Sequence, residues 1–167
     1  LRVKHPSDVT IDLISDNLEM KTAVSKWADH KMNVLIPMAG AGTRFQAAGY
    51  TFPKPLIEVD GKPMIQIVVD NIGLEARHIF VVQSEHRKKF SLDSMFNLFK
   101  PGSEIIEASG LTEGAACTAL LARELINNDE PLFFANSDQF VEWDPVDFFY
   151  LMQEKEVDGG IVTFKAT

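Results

Sequence analysis

From Asn33 onward, short runs of apolar and β-branched residues alternate with longer segments whose apolar positions recur at helical spacing. This alternation restricts the fold more than any other feature of the chain. Val34-Leu35-Ile36 and residues 78–82 read as buried strands, and residues 64–74 between them read as a helix. A helix-like stretch follows near 86–99, then a short strand at 104–107, a helix from about 113 to 126, a strand at 132–135, a helix at 145–154 and a strand at 160–164. Strands alternating with helices form β-α-β units and a mostly parallel sheet, giving an α/β fold with helices on the sheet faces. In such sheets ligands bind beyond the carboxyl ends of the strands, so function is expected in the loops after Ile36, Val82, Glu107 and Ala135.

The remainder of the chain sets bounds on this reading. Residues 1–31 have a different texture: Ser15 and Asp16 are cap candidates, and Met20, Ala23, Val24, Trp27 and Ala28 fall at helical spacing. They read as an N-terminal helical extension or the tail of a preceding domain, with the main domain at 32–167. The chain opens at Leu1 and stops at Thr167, just after a strand-like run, so it is expected to be a piece of a longer, C-terminally truncated polypeptide. With 167 residues, 46% of them apolar, it can bury a proper core. The formal charge of −8 argues against a surface built for nucleic acid or anionic lipid. No apolar run approaches the roughly 18 to 20 residues of a membrane span. The single cysteine, Cys117, excludes an internal disulfide and suits a reducing compartment, with the cytoplasm as the expected location.

The first strand runs directly into Pro37-Met38-Ala39-Gly40-Ala41-Gly42-Thr43-Arg44. Two glycines there let backbone N–H groups approach an anion without side-chain obstruction, and phosphate is the natural guest. The spelling rejects three familiar loops. Gly61-Lys62 is followed by Pro63, so there is no Walker A sequence. Phe45 stands where a dinucleotide fingerprint needs Gly or Ala, and Gly-x-Ser-x-Gly is absent. Eight residues after Arg44 comes Pro53-Lys54-Pro55-Leu56, and then Gly61-Lys62-Pro63-Met64-Ile65.

These three runs, in this order and this close together, resemble the sugar-nucleotide pyrophosphorylases, nucleotidyltransferases that make NDP-sugars from a nucleoside triphosphate and a sugar 1-phosphate. The resemblance covers roughly Met32 to the C-terminus. It implies a Rossmann-like three-layer α/β/α fold, shared with A-type glycosyltransferases, and a magnesium-dependent reaction in which positioning and charge neutralisation do most of the work. It also implies roles. Ala39, Gly40, Ala41, Gly42 and Thr43 would bind the triphosphate, Arg44 would steady the departing phosphates, and Lys54, stiffened between two prolines, would face the sugar phosphate. Asp138, in Leu132-Phe133-Phe134-Ala135-Asn136-Ser137-Asp138, matches the metal-binding aspartate, with Mg²⁺ as the cation. Gly114, in Ser109-Gly110-Leu111-Thr112-Glu113-Gly114, matches the glycine against which the nucleobase lies. Two departures stand out: Ser109 replaces a glutamine that often reads the base edge, and Ala39 replaces a further glycine.

Other residues read as structural. Lys62 belongs to a turn that opens the next helix with Pro63 in its first position, and Asp144 caps the helix after Pro145. His5, His30, His78 and His86 lack metal-ligand spacing and read as surface or strand-flanking residues. Cys117 reads as a small buried residue beside Ala116 and Leu120, Phe148-Phe149-Tyr150 as core and interface, and Arg87-Lys88-Lys89 as a solvated charge run.

Two other functions compete with nucleotidyl transfer. One is a non-catalytic regulatory or scaffolding domain; joint retention of Arg44, Lys54 and Asp138 argues against it. The other is an A-type glycosyltransferase, disfavoured because Asn136-Ser137-Asp138 offers only the last residue of an Asp-x-Asp metal motif. The resemblance places a second metal ligand and most of the sugar wall beyond Thr167, so the piece is expected to be impaired alone and its cut sheet to invite association, including of like chains.

Overall fold

A computed structural model describes residues 27–40, 49, 51–154 and 157–163. The chain divides into two compact units, one of Ala28–Phe140 and a second that includes Val141–Thr167.

The larger unit is built on a four-stranded sheet in the order β5-β4-β1-β6, with β1 at Trp27–Pro37, β4 at Leu74–Gln83, β5 at Glu104–Ala108 and β6 at Leu132–Phe134. β1 pairs in parallel with β6 in the register Asn33↔Leu132, and β4 pairs in parallel with β5 in the register Ile79↔Glu104. The inner strands are apolar without interruption at Val34–Ile36 and Ile79–Val82, all essentially inaccessible to solvent, as a sheet covered on both faces requires. Leu35, Ile79 and Val81 pack with Ala122, Ala119, Leu125 and Ile126 on one face. On the other, Phe80 stacks on Phe96 with ring centroids 4.2 Å apart. Helices therefore lie on both sides, giving the three-layer α/β/α arrangement expected from the alternation.

The connections show why each element begins and ends where it does. The glycine loop leads to a 3₁₀ turn at Lys54–Leu56 and a small antiparallel hairpin of β2 (Glu58–Val59) and β3 (Lys62–Pro63). Asp60 and Gly61 both have positive φ, 50° and 79°, the signature of a two-residue type I′ turn. Helix α1, Met64–Ile72, buries Ile65, Val68, Val69 and Ile72 at i, i+3, i+4 and i+7 and stops at Gly73 in the left-handed region (φ 65°).

The helical stretch expected at 86–99 is two helices, α2 (Ser84–Lys89) and α3 (Leu92–Phe99), because Ser91 adopts φ 50°, ψ 48° and redirects the chain so that Leu92 and Phe96 turn inward. The stretch expected at 113–126 likewise splits into α4 (Ala115–Leu120) and α5 (Arg123–Ile126), with buried Ala122 at the junction.

The amino edge of the sheet is closed by a polar cluster. Arg77 donates to Glu104 at 2.6 Å and to both Asn33 Oδ1 and the Leu125 carbonyl at 3.2 Å, while Asn33 Nδ2 donates to Asn128 at 3.3 Å. These bonds occupy the otherwise costly buried amide of Asn33. At the opposite edge Met38 N–H donates to the Val81 carbonyl at 2.8 Å, while Arg77 earlier in β4 meets Asn33 earlier in β1, so these two strands also run in the same direction and all four present their carboxyl ends together.

In the second unit α6, Pro145–Glu154, is capped as expected: Asp144 Oδ1 accepts from Val146 N–H at 2.9 Å. Trp143, Phe148 and Phe149 form an aromatic cluster with centroids 5.1–6.3 Å apart; Phe149 is buried and Tyr150 exposed. The strand expected at 160–164 is not formed over its described residues 160–163. Gly160 instead packs so closely on α6 that a Cβ there would lie 2.5 Å from the Met152 sulfur, and Ile161 is left 83% exposed. Most of the N-terminal helix expected within 1–31 lies outside the described residues, but Trp27 and Ala28, assigned to it, open β1 instead.

Candidate functional site

The carboxyl edge carries the residues singled out by sequence. Lys54, on the 3₁₀ turn between Pro53 and Pro55, places its ammonium on Asp138 Oδ2, in the loop after β6. The two residues are 84 positions apart in sequence. Both side chains are about one-third exposed, 34% and 31%, so the pair lies in an accessible place rather than in the core. Pro55 is buried and anchors the turn, while the Leu56 and Ile57 N–H groups bond back to the Pro53 and Lys54 carbonyls at 2.8 and 3.2 Å. The Asp138 loop is braced by Asn136 Nδ2 donating to Gln139 at 2.9 Å.

Ala39 and Gly40 begin the glycine loop directly after β1. Ala39 is buried, with 1% exposure, and Gly40 is exposed, with no atom of the described residues within 4 Å of the place a Cβ would take. Ala41, Gly42, Thr43 and Arg44 lie outside the described residues. Two residues that the sequence reading passed over secure this edge. Gln83, the last residue of β4, donates from its amide to the Ala39 and Gly40 carbonyls at 2.8 and 3.3 Å. Ser84, next in the chain, donates to the Ala108 carbonyl at 3.1 Å, on the other side of β4. The rule that sites form at the carboxyl ends of strands would have pointed to both.

Ser109 is exposed in the bend after β5. Gly114 stands at the start of α4 with φ 144°, ψ 178°, a conformation open in practice only to glycine. Its carbonyl accepts from the Thr118 hydroxyl at 3.1 Å and the Thr112 hydroxyl at 3.3 Å. Thr118 is therefore turned inward. Cys117, expected to be buried, is exposed together with Ala116 and Leu120, because the short helix turns Thr118 and Ala119 inward instead.

Three further expectations change. His78 is not strand-flanking but buried in the middle of β4, its Nδ1 on the Ala76 carbonyl at 2.9 Å and its Nε2 without a partner. Burial, chiefly, pulls its pKa down to about 4, with Lys100 adding to the effect and the Ala76 bond opposing it. Arg87 is not simply solvated: it bonds Asp93 at 2.9 Å through Nε and Glu107 at 3.1 Å, and the Asp93 bond above all holds its pKa above the usual value. Lys62, read as opening the helix, belongs to the β2–β3 hairpin and pairs with Asp70 at 3.0 Å.

Among the described residues no three or more His, Cys, Asp or Glu side chains gather into a metal cage. A lone accessible carboxylate such as Asp138 fits a cation that takes only one or two protein ligands and draws the others from phosphates and water, which is how Mg²⁺ binds.

The fold and its edge define an α/β domain with a loop-built site at the carboxyl ends of parallel strands. A family profile described as nucleotidyl transferase matches residues 33–167, and the chain belongs to that family. It is 30% identical over 137 residues to the mannose-1-phosphate guanyltransferase of Schizosaccharomyces pombe, covering 80% of this chain and 38% of that protein. The mannose-1-phosphate guanylyltransferase catalytic subunit beta of Danio rerio matches with the same identity and the same coverage. The chain thus spans well under half the length of these relatives. In fold it is similar to a UDP-glucose pyrophosphorylase solved with UDP-glucose, with a TM-score of 0.54 and 22% identity over 75% of this chain and 54% of that one. It is also similar to the inositol-1-phosphate CTP transferase of T. maritima, with a TM-score of 0.52 and 21% identity over 65% and 44% of the two chains.

Proposed function

We propose that this chain forms the nucleotide half of a magnesium-dependent sugar-phosphate nucleotidyltransferase, with the nucleotide-binding part, expected from 32, beginning instead with β1 at Trp27 and the residues before it as an extension. The Lys54–Asp138 pair carries the reading: a cation suited to a sugar phosphate and a carboxylate suited to Mg²⁺ meet at the carboxyl edge where the glycine loop emerges. In the reaction a phosphate oxygen of the sugar 1-phosphate attacks the α-phosphorus of the triphosphate. The bond from that phosphorus to the β-phosphate oxygen breaks, and pyrophosphate leaves with the electron pair.

Lys54 orients and partly neutralises the attacking phosphate, Arg44 steadies the departing one, and the Ala39–Thr43 backbone cradles the chain of phosphates. Asp138 would hold Mg²⁺, which would supply neutralisation of the phosphate charge. The nucleobase lies beside Ser109 and Gly114, where the absence of a Cβ and the extended backbone of Gly114 leave room for a flat ring. The names of the relatives put GTP and mannose 1-phosphate first among the candidate substrates. The acidic net charge supports a small-molecule role rather than nucleic-acid binding, and the exposed thiol of Cys117 supports a cytoplasmic setting.

Calorimetric titration of the four ribonucleoside triphosphates and dTTP, with and without Mg²⁺, tests the site. The expected result is selective binding of one of them, strengthened by Mg²⁺ and weakened by Asp138→Asn. Binding that Asp138→Asn leaves untouched would remove Asp138 from the metal site, and tight binding with no turnover in the intact protein would make the domain a non-catalytic relative.

A further inference from the structure

Resting on the nucleotide-binding reading above, we propose that Gln83 is a positioning residue for the glycine turn, holding two carbonyls away from the phosphates so that the turn presents N–H groups to them. Gln83 closes β4, and its side-chain amide donates to the Ala39 carbonyl at 2.8 Å and the Gly40 carbonyl at 3.3 Å. A primary amide has two N–H bonds, and this one nitrogen lies within hydrogen-bond distance of two successive carbonyls of one turn.

The consequence follows from peptide geometry. In a planar trans peptide the C=O and the N–H of the next residue point in opposite directions, and the structure contains no cis bond among its described residues. Drawing the Ala39 carbonyl onto Gln83 therefore aims the Gly40 N–H away from β4. Gly40 itself is exposed, and among the described residues no atom lies within 4 Å of the position its Cβ would take, so the backbone there is accessible. A carbonyl oxygen left free to swing outward would present partial negative charge to an incoming phosphate, whereas the held turn presents the positive ends of its peptide dipoles.

The clamp is seated on rigid parts. The Met38 N–H is fixed on the Val81 carbonyl at 2.8 Å, and Ala39 is buried, so the turn cannot relax backward to escape the loss of the amide. The chemistry also selects the residue type. Glutamate would repel both carbonyls, and lysine would add a charge that is itself drawn to phosphate; a neutral double donor orients the turn and does nothing else.

The test uses the intact protein and three probes: the preferred nucleoside triphosphate, inorganic tripolyphosphate and the parent nucleoside. Gln83→Ala is expected to weaken both phosphate-bearing probes about tenfold and leave the nucleoside unchanged. Gln83→Glu is expected to weaken them further than Gln83→Ala at pH 8, where the carboxylate repels both carbonyls and the phosphates. Ser84→Ala, which removes a tie on the other side of the same strand end, is expected to keep wild-type affinity for tripolyphosphate. Wild-type phosphate affinity in Gln83→Ala overturns the inference while the nucleotide reading stands. Equal losses in the Gln83 and Ser84 variants overturn it too, since they report a general loosening of the strand end. A wild-type protein that binds no triphosphate overturns the nucleotide reading and the inference together.

Discussion

Lys54 and Asp138 carry the account at the scale of single residues, and their partial exposure lets function be separated from folding. An ion pair about one-third open to solvent contributes little to stability, because water screens it and the long lysine side chain loses freedom in making it. Lys54→Ala and Asp138→Asn are each expected to lower kcat/KM by about 100-fold or more. The thermal midpoint of each should move by less than about 2 °C. Steady-state kinetics beside a melting curve checks this, and a large drop in melting point that accounts for the lost activity would make the pair a structural tie.

His78 behaves in the opposite way: buried, and felt in stability alone. Its pKa is near 4 in the folded chain and near 6.5 in the unfolded chain, so the unfolded state binds the proton first as pH falls. Above pH 6.5 the group is neutral in both states and costs nothing; between 6.5 and 4 the native state progressively loses stability. His78→Leu removes this dependence. Its stability relative to wild type should therefore rise by about 3 kcal/mol between pH 7 and pH 4, read by denaturant titration at each pH. A difference that does not change with pH would contradict the burial argument. Both residues of the Lys54–Asp138 pair were visible in the sequence because each is a charged side chain set in a spaced, recognisable run. Gln83 and Thr118 were not, because they act on backbone carbonyls, which every residue possesses and no motif marks.

At the scale of elements, apolar spacing located the segments well but not the breaks within them. Ser91 has no feature of a helix breaker, yet it occupies the left-handed region so that Leu92 and Phe96 can reach the sheet. Tertiary packing there outweighs the local preference of the chain. A non-glycine residue in that conformation is strained, so Ser91→Gly is expected to stabilise the protein by about 0.5–1 kcal/mol, measured as a shift in the denaturation midpoint at constant slope. Destabilisation would mean that the serine side chain supplies more than the strain costs. α4 teaches the same lesson. Its apolar residues suggested an inward-facing Cys117, but the helix instead turns Thr118, whose hydroxyl bonds the Gly114 carbonyl, and Ala119 toward the core. The hairpin between Val59 and Lys62 turns on Asp60-Gly61, a dipeptide favoured in two-residue turns that the sequence reading passed over and that the positive φ angles identify.

At the scale of the whole molecule, the alternation of strands and helices was enough to specify a parallel sheet with helices on both faces, and the structure has those layers. The order of the strands was not legible. β6 lies beside β1 although about a hundred residues separate them, and nothing in the local pattern of either records that neighbour. The edge assignment was legible by rule, since parallel strands put their carboxyl ends together. Here the amino edge is closed by Arg77, Asn33 and Glu104, and the carboxyl edge holds Lys54, Asp138, Gln83 and Gly114. That division puts a polar structural cluster at one edge and the candidate site residues at the other.

The central claim is nucleotidyl transfer to a sugar phosphate, and ³¹P NMR of the intact protein tests it most directly. The protein would be incubated with Mg²⁺, each nucleoside triphosphate in turn, and mannose 1-phosphate or glucose 1-phosphate. The account predicts that one triphosphate gives matched amounts of pyrophosphate and an NDP-sugar, and that Asp138→Asn gives neither. Triphosphates that persist unchanged, or that release pyrophosphate at the same rate with no sugar phosphate present, would contradict it.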